Sequence, residues 1–344
     1  MGLKVAIYVS GNLAASTLAL VVGCLRAVAE IDVVVLTDGN ILARDLTELE
    51  PLIVLSSETK LPKADLLIVA PVTPGTFEGQ LSDAYRRMGA QILGICSDLG
   101  LGPDKYMKFS AFPDIIAIPD PVSMRMYLDA GVPKTSLRPT GSPYFDALAS
   151  EKGLLRRSVL PPTSVAYLEV PNTWDWKCKN LPNYYSEEDI ATDIRQAAKC
   201  AGLKIAERPH PRTLLKSRAI AIDGPAPEAL PIVQFLATHQ KAVSTYSTTL
   251  LIAKTMGLST FSYQPSPSPT IRREIFDHCG IPIIRNEISL KAALTENGAV
   301  LEGPCVPFWY QPGEGLKNIF ACVEELASSC GMANYPSKSM VELA

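Results

Sequence analysis

Apolar residues along the chain fall into short continuous runs, and longer amphipathic stretches separate them. Lys4 to Val9, Asp32 to Leu36, Pro51 to Ser56, Ala64 to Ala70 and Ala90 to Cys96 are rich in Val, Ile and Leu and are only a few residues long, as strands are. A loop at Ser10-Gly11-Asn12 opens a helical pattern that runs to about Ala29, and another helix is expected from about Gly79 to Met88. Strands that are apolar on both faces and alternate with helices belong to a parallel sheet covered on both sides. The first half therefore predicts a doubly wound α/β unit.

The character changes after Cys96, where Ser97 to Phe109 is loop-like. Asp114 to Pro119 is a strand, and Pro121 to Ala130 is a helix with Pro in its first turn, stopped at Gly131-Val132-Pro133. Thr140-Gly141-Ser142-Pro143 makes a turn before a short helix. Basic residues and Pro161-Pro162 mark 151–163 as a linker between a domain at 1–150 and one at 164–330, with 331–344 a frayed tail.

In the second half, Val165 to Val170 is a strand and Ser186-Glu187-Glu188-Asp189 a capping box that opens a helix to about Cys200. Leu203 to Glu207 is the next strand. Ile232 to Leu236 and Ala242 to Ser244 read as strands or short helical pieces, and Ser259 to Tyr263 and Pro282 to Ile284 as strands. A final helix at about Gly315 to Ser328 has room to cross back onto the first domain. The pattern as a whole is α/β: two facing Rossmann-like doubly wound domains with a cleft between them.

Composition narrows the function classes. The 344 residues suffice for two domains. With 47% hydrophobic and 19% charged residues and a formal net charge of −3, no electrostatic footprint for nucleic acid or anionic membrane is present. No stretch reads as a signal peptide or a membrane span, so a cytoplasmic protein is expected. The eight cysteines include no C-x-x-C pair and read as free thiols. Three histidines without H-x-x-x-H spacing argue against a histidine-based metal site, and no metal is expected.

Against this background two segments stand out: Arg208-Pro209-His210-Pro211-Arg212-Thr213 and Ser244-Thr245-Tyr246-Ser247-Thr248-Thr249. Each follows a strand-like run. The second carries five Ser or Thr hydroxyls and opens an apolar stretch to Met256, closed by Gly257. Hydroxyl residues at such a junction either serve as an N-cap or gather donors at an anion site. Five exceed what a cap can use, which points to phosphate. His210, stiffened between two prolines and flanked by Arg208 and Arg212, supplies a further donor. The expected phosphate set is thus Arg208, His210, Arg212, Ser244, Ser247, Thr248 and Thr249.

These residues resemble a family. His210-Pro211 and Ser247-Thr248-Thr249 are similar to the His-Pro and Ser/Thr motifs of GT-B glycosyltransferases, notably bacterial sialyl- and polysialyltransferases, capsule polysaccharide transferases and CDP-glycerol glycerophosphotransferases. The run from Pro113 to Asp146, with Thr140-Gly141-Ser142-Pro143-Tyr144-Phe145-Asp146, also resembles UDP-N-acetylglucosamine 2-epimerases. The likeness spans roughly Pro113 to Gln264. It implies an acceptor-side first domain, a nucleotide-donor second domain, and metal-independent transfer of a sugar from a CMP-, CDP- or UDP-linked cosubstrate to an acceptor hydroxyl. In that scheme His210 and the hydroxyls offset charge on the leaving nucleotide. No other cofactor, no nucleic acid and no integral membrane segment is implied, and the scheme leaves room for a homodimer.

The chain departs from the family at two points. Leu250 to Met256 contains no acid to grip the ribose, and the first-domain acidic-acidic-Gly motif has no full match. Thr37-Asp38-Gly39 reads as a turn. Asp98, at the carboxyl end of a strand, is the candidate general base, with an Asx turn as the other reading. Trp174 and Trp176 either stack on the base or pack between domains, and Ser10 and Gly11 are candidate contacts to acceptor or donor. Lacking G-x-G-x-x-G in this first loop, the chain is not expected to be a dinucleotide oxidoreductase. Two readings compete with transfer: a sugar-nucleotide 2-epimerase-like enzyme, and a nucleotide-binding or scaffold protein without catalysis.

Overall fold

The computed structural model describes residues 2–10, 12–38, 49–56, 58–71, 76–151, 164–170, 186–210, 232–266, 272–295 and 313–329. The chain divides into two compact units, Met1–Ala147 with Pro307–Ala344 and Leu148–Val306. Both carry parallel sheets interleaved with helices, the two-domain Rossmann-like α/β architecture that the strand pattern predicts.

Unit 1 holds β1 (Leu3–Val9), α1 (Asn12–Arg26), β2 (Ile31–Thr37), β3 (Leu52–Val54), β4 (Leu66–Val69), α2 (Thr76–Arg87), β5 (Gln91–Ile95), β6 (Ile115–Ile118), α3 (Pro121–Asp129), β7 (Leu137–Pro139) and α4 (Pro143–Glu151). The strand order is β3-β2-β1-β4-β5-β6-β7, every described pair parallel. Because successive side chains alternate across a strand, each strand feeds two cores. Val5, Ile7, Ile68 and Ile95 pack with α1 on one face. Ala6, Tyr8, Leu67, Val69 and Ile92 pack with Leu81 and Tyr85 of α2 on the other.

Unit 2 holds β8 (Ser164–Leu168), α5 (Glu187–Cys200), β9 (Lys204–Arg208), α6 (Ile232–Ala237), β10 (Lys241–Ser244), α7 (Thr249–Thr255), β11 (Ser259–Tyr263), α8 (Arg273–His278), β12 (Ile283–Ile284) and α9 (Glu287–Thr295). Its strand order is β12-β11-β10-β8-β9, again parallel. The capping box forms: Ser186 Oγ accepts from Asp189 N–H and the Asp189 carboxylate accepts from Ser186 N–H. Val165, Tyr167 and Val243 bury against Ile190, Ile194 and Leu290 of α5 and α9. Ile232–Ala237 resolves as helix and Lys241–Ser244 as strand.

One boundary differs from the sequence reading. The final helix α10 (Gly315–Ser329) belongs to unit 1, so the second domain ends near Val306 and not at 330. The cause is its apolar stripe: Ile319, Phe320, Val323, Leu326 and Ala327 join the core around β1 and α1. Each large side chain of this stripe contributes about 1.5–3 kcal/mol on burial. Polar ties fix the register. Asp146 accepts N–H bonds from Gly313 and Gly315 at 2.7 Å each, and Asn318 donates to the Thr140 carbonyl. The proposed linker at 151–163 and the tail at 331–344 fall almost wholly outside the described residues.

A side chain on Gly315 would place its Cβ 2.8 Å from the Pro143 nitrogen and 2.7 Å from Asp146 Oδ2. Gly315→Ala is expected to destabilise unit 1 by about 1–3 kcal/mol through overpacking against backbone, read as a lowered thermal midpoint. Gly94→Ala should act similarly, since its Cβ would meet the buried Tyr106 hydroxyl at 2.7 Å and Pro113 Cγ at 2.9 Å. An unchanged midpoint in both would contradict this packing.

Candidate functional site

In unit 2 the chain leaves β8 for β9 on one side and then returns to β10 on the other. Loops after strands flanking such a reversal diverge, and open α/β sheets bind ligands in the gap beyond the carboxyl ends. The two segments singled out by the sequence occupy this place: Pro209 and His210 follow β9, and Thr245 to Thr248 follow β10.

The end of β8 ties both together. His210 N–H donates to Glu169 Oε2 at 3.1 Å, and Glu169 N–H donates to the Arg208 carbonyl at 3.0 Å. On the other side Ser244 Oγ donates to the Leu168 carbonyl at 2.6 Å. Ser244 is therefore fully buried and its hydroxyl is used inside the sheet. Ser247, Thr248 and Thr249, only half-buried, are the outermost hydroxyls of the loop. Ser247 Oγ accepts from Thr249 N–H and donates to Thr249 Oγ1, whereas Thr248, at the junction with α7, makes no side-chain cap. The loop is braced from β11: Ser262 Oγ donates to the Thr245 carbonyl, and Gln264 Nε2 donates to Ser262 Oγ at 2.8 Å.

Arg208 lays its guanidinium 5.5 Å from the centre of the Phe235 ring. The face of β8 and β9 toward α5 is acidic. A depression of about 380 Å³ there is lined by four carboxylates, Glu169, Glu187, Glu188 and Glu207, and by two guanidinium groups, Arg195 and Arg208. Burial, reinforced by Glu187 and Glu207, lifts the Glu169 carboxyl above its ordinary range against the opposing His210 N–H bond. Arg195 pairs with Glu207 and Glu188 at 2.6 and 2.8 Å.

In unit 1, Asp98 lies buried beyond β5 with Oδ2 2.8 Å from Lys105 Nζ, a closed ion pair. Ser10 follows β1 and donates to Glu78 Oε1 at 2.7 Å, a contact that sequence reasoning missed. Arg212, Trp174, Trp176 and Gly11 lie outside the described residues. Among the described residues no three His, Cys, Asp or Glu side chains gather to hold a metal ion, and no helix is long and apolar enough to cross a membrane.

No protein-family profile matches the chain, and no characterised protein matches it in sequence. Solved structures do match in fold. A UDP-N-acetylglucosamine 2-epimerase from Rickettsia bellii superposes with a TM-score of 0.67 at 14% identity, covering 97% of this chain and 99% of its own. The enzyme of the same name from Methanocaldococcus jannaschii, solved with UDP-GlcNAc and UDP, gives 0.63 at 13% identity over 94% of this chain and 100% of its own. The wall teichoic acid polymerase TagF gives 0.56 at 12% identity, covering 96% of this chain and 89% of its own. The chain thus has the GT-B-like fold of these proteins over nearly its full length.

Proposed function

We propose that the chain is a nucleotide-sugar enzyme that holds the phosphates of a UDP-linked sugar in unit 2 and transfers the sugar to an acceptor hydroxyl. The observation that carries this reading is the end of β8, bonded on one side to the His210 segment and on the other to the Ser/Thr segment. The two segments stand two strand spacings apart, about 10 Å, room for a diphosphate between them. Hydrogen bonds within the unit hold both segments in place, which supports a preformed site, the condition under which hydrogen bonds best stabilise charge on a leaving group.

Electrostatics supports one placement of the parts of the ligand in this reading. A phosphate is repelled by the acidic face of β8 and β9, so the diphosphate sits toward Ser247, Thr248 and Thr249, with His210 at its edge. Ribose or sugar hydroxyls, which donate hydrogen bonds, suit Glu169 and its neighbours. That supplies the carboxylate that α7 lacks, since Leu250, Leu251, Ile252 and Ala253 are all buried apolar residues. The choice of UDP is supported by the epimerase structures of the same fold that contain it. Full-length fold matches to 2-epimerases favour a second reading, epimerisation of the bound sugar.

Calorimetry with UDP, and with CMP and CDP for comparison, tests the site. His210→Ala should weaken UDP binding by about 1.5–3 kcal/mol, the range for a charge-assisted hydrogen bond. A loss under about 0.5 kcal/mol, the size of an ordinary surface change, would remove His210 from the site. Incubation with UDP-N-acetylglucosamine alone separates the reactions. An epimerised sugar without acceptor establishes the second reading, and UDP release that requires an acceptor establishes transfer.

A further inference from the structure

Unit 1 has a reversal of its own, between β1 and β4, from which strands run outward to β3 on one side and β7 on the other. Ser10 is the first residue beyond β1, and Glu78 lies in the first turn of α2, the helix that follows β4. The two meet at the carboxyl ends of the strands, where an open α/β sheet binds its ligand. Glu78 is 6% exposed. Its Oε1 accepts the Ser10 hydroxyl at 2.7 Å, and among the described residues Oε2 has no hydrogen-bond partner and no cation pairs with the carboxylate.

The other buried carboxylates described in unit 1 are employed by the fold. Asp98 is paired with Lys105, and Asp120 accepts from Gly100 N–H, Ser123 N–H and Ser123 Oγ at 2.7–3.0 Å. The second oxygen of Glu78 is therefore open to a hydrogen bond from a ligand. The surroundings also select the ligand: the buried Tyr8 phenol is pushed up by burial and by the nearby Asp38 and Glu78 carboxylates. A phosphate is unwelcome there, and a hydroxyl, which brings a proton to Oε2, is suited.

We infer that Glu78, oriented by Ser10, is the carboxylate of unit 1 that binds a substrate hydroxyl and accepts its proton; this rests on the nucleotide-sugar reading above. In transfer, the acceptor O–H bond breaks and its proton passes to Glu78. The acceptor oxygen bonds to the anomeric carbon as the bond from that carbon to the phosphate oxygen breaks, and the electron pair of that bond leaves on UDP. Glu78 ends protonated and returns its proton to water. Asp98, already neutralised by Lys105, holds the loop beyond β5 in this scheme.

Glu78→Gln keeps the shape and can still accept from Ser10, but cannot take a proton. The test compares it with wild type and Asp98→Asn in UDP affinity, thermal midpoint, and turnover of UDP-N-acetylglucosamine with and without sugar acceptors. Expected for Glu78→Gln are a loss of turnover of about a hundredfold or more, with UDP affinity unchanged and the midpoint not lowered, because the Ser10 bond is kept and no ion pair is broken. Asp98→Asn should lower the midpoint by leaving Lys105 buried without its partner. Full turnover in Glu78→Gln, or a lowered midpoint, overturns the inference while leaving the nucleotide reading intact if UDP still binds. The midpoint decides even where no acceptor turns over. A wild type that neither binds UDP nor consumes the UDP-sugar brings down the nucleotide-sugar reading, and the role of Glu78 falls with it.

Discussion

In a parallel sheet every strand ends by handing the chain to a crossover, and neighbouring crossovers usually run over the same face. Where the strand order reverses, the two flanking crossovers turn to opposite faces and leave a gap that no side chain of the sheet can fill. This constraint decides where chemistry can occur here. Unit 1 has its gap at β1 and β4, and unit 2 at β8 and β10. Among the described residues Ser10 with Glu78 and the loop Thr245 to Thr248 lie at these two places, and some polar groups elsewhere are absorbed into structure. Lys241, for instance, is buried with its ammonium on the Leu294 and Ala293 carbonyls at the end of α9.

The two gaps differ in chemistry. That of unit 2 is lined on one side by hydroxyls and backbone held in place by Ser262 of β11 and by Gln264 just beyond it. That of unit 1 presents a carboxylate and a phenol and accepts bonds where the other gives them.

The architecture was legible in the sequence because buried parallel strands are continuously apolar and short, so β1, β2, β4, β5, β6, β8 and β11 announce themselves. The capping box at Ser186 was legible for a local reason: its two partners are three residues apart. Elements with weak local signals were not. Leu137–Pro139 forms the edge strand β7 although it contains Arg and Pro, which an edge tolerates and a central strand does not. Arg273–His278 and Glu287–Thr295 are helices too short to show a clear period. The site divides in the same way. His210 and the hydroxyl loop stand out in the sequence because each is a compact motif, and the fold sets them after β9 and β10. Reading side chains one by one counted Ser244 as a ligand, though its hydroxyl belongs to the Leu168 carbonyl, and took Asp98 as a base without its Lys105 partner. Ser10 and Glu78 lie 68 residues apart and become neighbours only through the placing of β1 beside β4.

The return of α10 to unit 1 makes unit 2 an insertion within a single folded body. On the ribosome, the strands of unit 1 emerge first, yet the layer supplied by Ile319, Phe320, Val323 and Leu326 is made only after all of unit 2, a delay on the order of ten seconds or more. Through that interval one face of the first sheet stands partly bare while the second body is already able to fold. The first unit to be started is therefore the last to be completed, and its apolar face is the surface a nascent chain must keep from aggregating.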